Sequence, residues 1–173
     1  MNHTSETLLR SRVFNVERRT YVQPDGSTIV RDVVVHPGAV VILPRLDDNR
    51  LVMLRNLRRA TGAELWELPA GTMEPGEAPI DTAGRELEEE TGYAAREIVP
   101  FIEFFATPGF CTEKMHCFIA SALTATRQRL EHGEQIRVEI VDTQWARRAI
   151  LDGTIQDGKT IAVLGAYFLG GQP

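Results

Sequence analysis

The stretch GTMEPGEAPIDTAGRELEEETGY, residues 71 to 93, places Glu86, Glu88, Glu89 and Glu90 within five positions. Like charges three or four apart on a helix repel and cost stability. A helix here has legible bounds, because Pro79 suits a first helical turn and Gly92 suits a stop. Stepping ~100° per residue from Ile80 puts Ile80, Ala83, Gly84, Leu87 and Thr91 on one face, the expected buried stripe. Glu86, Glu89 and Glu90 share a neighbouring arc, while Glu88 falls on the opposite flank. A solvated acidic face is the ordinary explanation of such a run. Converging carboxylates repel unless something positive lies between them. Oxygen-rich clusters suit Mg²⁺ or Mn²⁺, and Mg²⁺ commonly arrives with a substrate phosphate. The surroundings favour a built site. Gly71 and Gly76 permit tight turns and close approach before the helix, and Arg85 can hold a carboxylate in a charge-assisted pair.

Working outward, the chain has 173 residues, 43% of them hydrophobic and 25% charged, which fits one domain with a respectable core. The net charge of −5 offers no footprint for non-specific nucleic-acid or membrane binding. No apolar run approaches the roughly 18–20 residues of a transmembrane helix. The N-terminus MNHTSETLLRSRVF lacks a signal-peptide layout, so a cytoplasmic protein is expected. Cys111 and Cys117 have no metal-type spacing and are expected to be free thiols.

The order of elements predicts an α+β fold. Two strand-like segments, SRVFNVERRTYV and STIVRDVVV, flank the turn Gln23-Pro24-Asp25-Gly26 and read as a hairpin. AVVILP (residues 39 to 44), RLVMLRNLR (50 to 58), REIVPFIEFF, EKMHCFIASAL and RVEIVDTQWA follow as strands, the last turning helical. WARRAILDG and KTIAVLGAYFL read as two closing helices. His3 is expected in a disordered tail, and His36 and His116 in structural positions within strands.

Residues 71 to 93 resemble the Nudix box at every fixed position. These are Gly71, Glu77, Arg85, Glu86, Leu87, Glu89, Glu90, Gly92 and Tyr93, the tyrosine standing where an aliphatic residue is commoner. The resemblance implies an α/β/α sandwich with a mixed β-sheet that hydrolyses a nucleoside diphosphate linked to another moiety. It implies metal ligands at Glu86 and Glu90, with Glu89 as a further ligand or a base and the carbonyl of Ala70 as a backbone ligand. Arg85 would orient a catalytic carboxylate, and Glu77, Gly71 and Gly92 would support the box.

The flanks RNLRRATGAELWELPAG, HPGAVVIL and ATPGFCTEKMHCFIA resemble the ADP-ribose pyrophosphatase branch, as does Pro108, fifteen residues beyond Tyr93. The C-terminal DGKTIAVLGAYFL resembles this branch and the GDP-mannose pyrophosphatases alike. This likeness implies Mg²⁺-dependent hydrolysis of ADP-ribose to AMP and ribose 5-phosphate, with GDP-mannose or another nucleotide sugar as the alternative substrate. A nucleotide-binding regulator without hydrolysis is the rival class. Such domains usually lose box carboxylates, and all are kept here. The branch also implies a homodimer. Residues 1–36 would be a tail and hairpin arm exchanged between protomers, and residues 37–173 the hydrolase domain. Expected substrate contacts are Arg58, at the diphosphate, together with Arg55, Glu67 and Glu113. The general base is left among Glu134, Glu131 and Glu89, all acids that the fold would have to bring to the attacking water.

Overall fold

In the computed structural model, which describes residues 3 to 170, the elements alternate in a strand-rich order. The first half holds β1 (His3–Arg10), β2 (Asn15–Val22), β3 (Thr28–Val35), β4 (Ala39–Pro44), β5 (Arg50–Arg58), β6 (Ala63–Glu67) and β7 (Ala70–Thr72). Then come α1 (Pro79–Thr91), β8 (Tyr93–Phe105), β9 (Lys114–Ala125), β10 (Ile136–Asp142), α2 (Thr143–Leu151) and α3 (Gly158–Leu169).

The all-apolar run AVVILP explains the layering. Every residue of β4 is buried, as expected of a strand covered on both faces. Its side chains alternate between two cores. Ala39, Val41 and Leu43 join Met115, Cys117 and Ile119 of β9 against Ala146, Ala149, Val163, Leu164 and Tyr167 of α2 and α3. Val40 and Ile42 join Phe118 and Ala120 against Ala83 and Leu87 of α1. The result is an α/β/α sandwich. Its main sheet has the order β7-β4-β9-β8 and a smaller one the order β10-β5-β6. β4 runs parallel to β9, from Ala39 opposite Met115 to Pro44 opposite Ala120. The neighbouring pairs are antiparallel, so the sheet is mixed.

The N-terminal arm is a separate antiparallel sheet of order β1-β2-β3. The expected hairpin is β2–β3, with eight registered pairs from Asn15–Val35 to Val22–Thr28. Two expectations are corrected. His3 lies in β1, opposite Tyr21, rather than in a tail. Ile80 is 44% exposed and does not belong to the buried stripe of α1, which instead takes in Thr82. Ile80 sits in the helix's first turn, where it lines a cavity with Pro100, Phe101 and Phe118 instead of being packed closely against the sheet. A second sheet contact anchors the arm's end: Val34 N–H donates to Phe110 O at 2.8 Å and Thr112 N–H to Val34 O at 2.9 Å.

Candidate active site

The helix α1 begins with Pro79 in its first turn and ends at Gly92, whose φ of 69° is left-handed and suited to glycine. Its carboxylates meet two different environments. The guanidinium of Arg85 works as a fork. Its Nε and Nη2 donate to the two oxygens of Glu77 at 3.1 Å each. Its Nη1 donates to Glu86 at 2.8 Å and to Glu89 at 3.1 Å. The guanidinium hydrogen bonds hold the Glu77 carboxyl down to about 2. Glu88 stands apart, 3.6 Å from Arg129 on the flank.

Glu90 is buried to 5% exposure, and its carboxylate accepts the Ala70 backbone N–H at 2.8 Å. Burial pushes its carboxyl up to about 8, against the lowering effect of that N–H, and the nearby Glu86 and Glu134 add to the rise. Burial raises Glu86 too, although Arg85 opposes it. Gly71 makes room for this arrangement. A Cβ there would lie 1.9 Å from the carboxyl carbon of Glu86, so any side chain would displace that carboxylate.

Ala70, Gly71, Arg85, Glu86, Glu89 and Glu90 line a cleft of about 580 Å³, while Glu77 and Glu88 lie outside its walls. Facing the helix across the cleft is the loop 126–135 between β9 and β10, which contributes Arg129, Glu131, Gly133 and Glu134. Glu134 accepts the Glu131 N–H at 2.7 Å and has no cationic partner among the described residues. Arg58 and Arg59, from the end of β5, close one side. Arg59 donates to the Gly133 carbonyl at 3.1 Å.

A hard divalent cation fits this donor set. The donors are carboxylate and backbone oxygens. Two of the carboxylates are held where burial disfavours their charge, a cost that a cation offsets. Among the described residues, no three such side chains are already gathered round one point. Glu86 and Glu89 lean on Arg85, and Glu90 leans on the Ala70 N–H.

The expected substrate contacts separate. Arg58 lines the cleft, with its Nε and Nη2 gripped by Glu67 at 2.7 and 2.5 Å. Its Nη1 is engaged by none of the described residues. Glu67 does not line the cleft. It is 1% exposed and lies between Arg58 and Lys159, whose Nζ is 2.9 Å away and also reaches Asp157 at 2.8 Å. Arg55 points elsewhere, pairing with Glu64 at 2.6 Å and stacking 4.8 Å from the Trp66 ring. Glu113 stands 3.8 Å from His36, also away from the cleft walls. His36 accepts the Gly38 N–H, and His116 meets Glu103 at 2.6 Å. Cys111 and Cys117 are unpaired, and burial pushes the Cys117 thiol up to about 12.

Sequence reading missed Arg12, Val13 and Arg129, which also line the cleft. Arg12, in the turn between β1 and β2, reaches Glu131 at 3.4 Å. No local signal marks Arg12, since its place follows from how the arm lies across the domain. No described helix is long and apolar enough to cross a membrane.

Comparisons with known proteins bear on the family and the fold. The family model described as NUDIX domain matches residues 35–164. An ADP-ribose pyrophosphatase from Bacillus subtilis (strain 168) is 33% identical over 157 residues, covering 90% of this chain and 85% of its own. A methanol dehydrogenase activator from Bacillus methanolicus is 33% identical over 159 residues, covering 91% and 86%. A crystal structure of an ADP compounds hydrolase superposes with a TM-score of 0.83 at 23% identity, covering 100% of this chain and 98% of that one, a likeness of fold. The chain belongs to the Nudix family.

Proposed function

We infer that this protein is a pyrophosphohydrolase that cleaves the diphosphate of ADP-ribose, giving AMP and ribose 5-phosphate, with Mg²⁺ or Mn²⁺ as its metal. The observation that carries the reading is that the half-buried Glu86 and the buried Glu90 line one cleft with Glu134, which has no cationic partner among the described residues. A binding module without chemistry would carry that electrostatic cost to no end. The box residues, kept at every position, support hydrolysis over silent binding. Likeness to the Bacillus subtilis enzyme and the flanking sequence support ADP-ribose over other nucleotide sugars.

Glu86, Glu90, Glu89 and the Ala70 carbonyl are the residues that would hold the metal. Bound there, it supplies neutralising charge and Lewis-acid polarisation to the diphosphate. The remaining work falls to the chain. Arg58, held by Glu67, presents its Nη1 to a phosphate oxygen. Arg85 keeps Glu86 and Glu89 turned toward the cleft. Glu134 accepts the proton of the attacking water as its oxygen bonds to phosphorus and the bridging P–O bond breaks. Arg55, Glu67 and Glu113 lie off the cleft of a single chain. Direct substrate contact by Arg55 or Glu113 would need a second copy.

The arm favours such a copy. Leu8, Leu9, Val22 and Val30 are between 42% and 69% exposed on its surface. Residues 1–36 would then be an arm laid on the partner, and 37–173 the hydrolase domain. The test is phosphate-coupled hydrolysis of ADP-ribose, GDP-mannose, UDP-glucose and NADH with Mg²⁺, Mn²⁺ or EDTA, beside sedimentation of the protein. A metal-dependent rate dominated by ADP-ribose, from a dimer, is expected. Turnover without metal would refute the site, and a dominant rate on another substrate would refute the choice of ADP-ribose.

A further inference from the structure

A helix leaves its last carbonyls without partners inside the helix. In α1 this end carries the metal-ligand candidates, and the carbonyls of Glu89, Glu90 and the cap residue Gly92 are taken up by one segment, the loop 126–135. Thr126 N–H donates to Gly92 O at 2.7 Å and Arg129 N–H to Glu89 O at 2.8 Å. Between them, the Gln128 amide Nε2 donates to Glu90 O at 2.7 Å and reaches Ile136 O at 3.5 Å. Gln128 is half-buried in a loop that is otherwise mostly exposed. The loop also packs against the helix stop, because a Cβ on Gly92 would lie 2.9 Å from the Gln128 backbone nitrogen.

We propose that Gln128 is a positioning residue for Glu134, its side-chain amide tying the Glu90 carbonyl to the root of β10 and so setting the height of the loop above the metal-ligand helix. This rests on the reading of Glu134 as general base. The chemistry demands a primary amide. One nitrogen with two N–H donors serves two carbonyls, which a carboxylate of equal size cannot do. The backbone donors at Thr126 and Arg129 would survive any substitution, but among the described residues Gln128 alone binds both ends of the path from Glu90 to Glu134. An irregular exposed loop has few contacts of its own to hold a catalytic atom in place. Displacement of a catalytic group by about 1 Å costs up to ~10²-fold in rate.

The experiment is steady-state kinetics on the fastest nucleotide sugar with Mg²⁺. Wild type, Gln128→Glu and Gln128→Ala are compared, alone and combined with Glu134→Gln, beside thermal melts of each. The Gln128 variants should lose about tenfold in kcat with KM changed by less than about twofold, the signature of a contact that matters in the transition state. In the Glu134→Gln background the same changes should have almost no further effect, because the group being positioned is already gone. A wild-type kcat for Gln128→Glu beside an impaired Glu134→Gln would overturn the proposal alone. So would losses that multiply in the double variants. An unimpaired Glu134→Gln would overturn the general-base reading and the proposal with it.

Discussion

The cleft has two unlike walls. One is α1, whose carboxylates are held by a half-buried guanidinium fork, a backbone N–H and a glycine that leaves no spare volume. The other is the loop 126–135, mostly exposed and hung from the helix end by a few hydrogen bonds. The difference separates two tasks. Holding like charges together needs burial and rigid partners. Moving a proton needs a carboxylate that faces the same charges yet stays free of a cation. Glu90 and Glu134 show the two solutions across one gap.

The comparison breaks most completely if the helix wall loses its charge. Glu86→Gln combined with Glu90→Gln should lower kcat by about 10³-fold or more, measured with saturating Mg²⁺ and an unchanged circular dichroism spectrum. The pair should also fold at least as stably as wild type, since the cost of burying the carboxylates is gone. Next comes space. Gly71→Ala would drive a methyl group into the Glu86 carboxyl, 1.9 Å away, and should cost about 10²-fold in rate and 1–3 kcal/mol in denaturant unfolding.

The junction of the walls is tested by Gly92→Ala. It forces a left-handed φ of 69° on alanine and presses a Cβ to 2.9 Å from Gln128. Destabilisation of about 1–2 kcal/mol and a lower kcat are expected. The smallest effect concerns pH. Glu77 falls from 4.5 in the unfolded chain to about 2 when folded, so its contribution is complete above 4.5 and is lost as pH falls toward 2. In urea unfolding, the gap between wild type and Glu77→Gln should therefore close between pH 5 and pH 2. A gap that persisted at pH 2 would mean that Glu77 acts through packing rather than charge.

These features were unequally legible in the sequence. The helix wall could be read because its signals are local: Pro79, Gly92 and the spacing of the glutamates. The buried strand AVVILP was equally plain. β1 was not, since HTSETLLR has no alternation and is exposed at every position in the folded chain. Ile80 was misplaced because periodicity says which face a residue lies on, and not how closely the sheet packs against it there. Glu67 read as a substrate contact, but its partners depend on distance in space. Lys159, ninety-two positions away, encloses it from α3. The anchoring of the loop was invisible for another reason: most of its donors and acceptors are backbone groups, which carry no sequence signature.

The parallel pairing of β4 with β9 has a consequence for biogenesis. Residues 39–41 pair with β7 at 70–72, but residues 39–44 find their parallel partner only at 115–120, and α1 lies in the segment between. Closing so long a loop comes before its reward, which slows assembly. A chain emerging from the ribosome therefore carries the six apolar residues of β4 without their parallel neighbour until β9 has been made. During that interval a nascent fragment can hold the whole glutamate box and still have no enzyme, only an apolar strand open along one edge and in need of a chaperone.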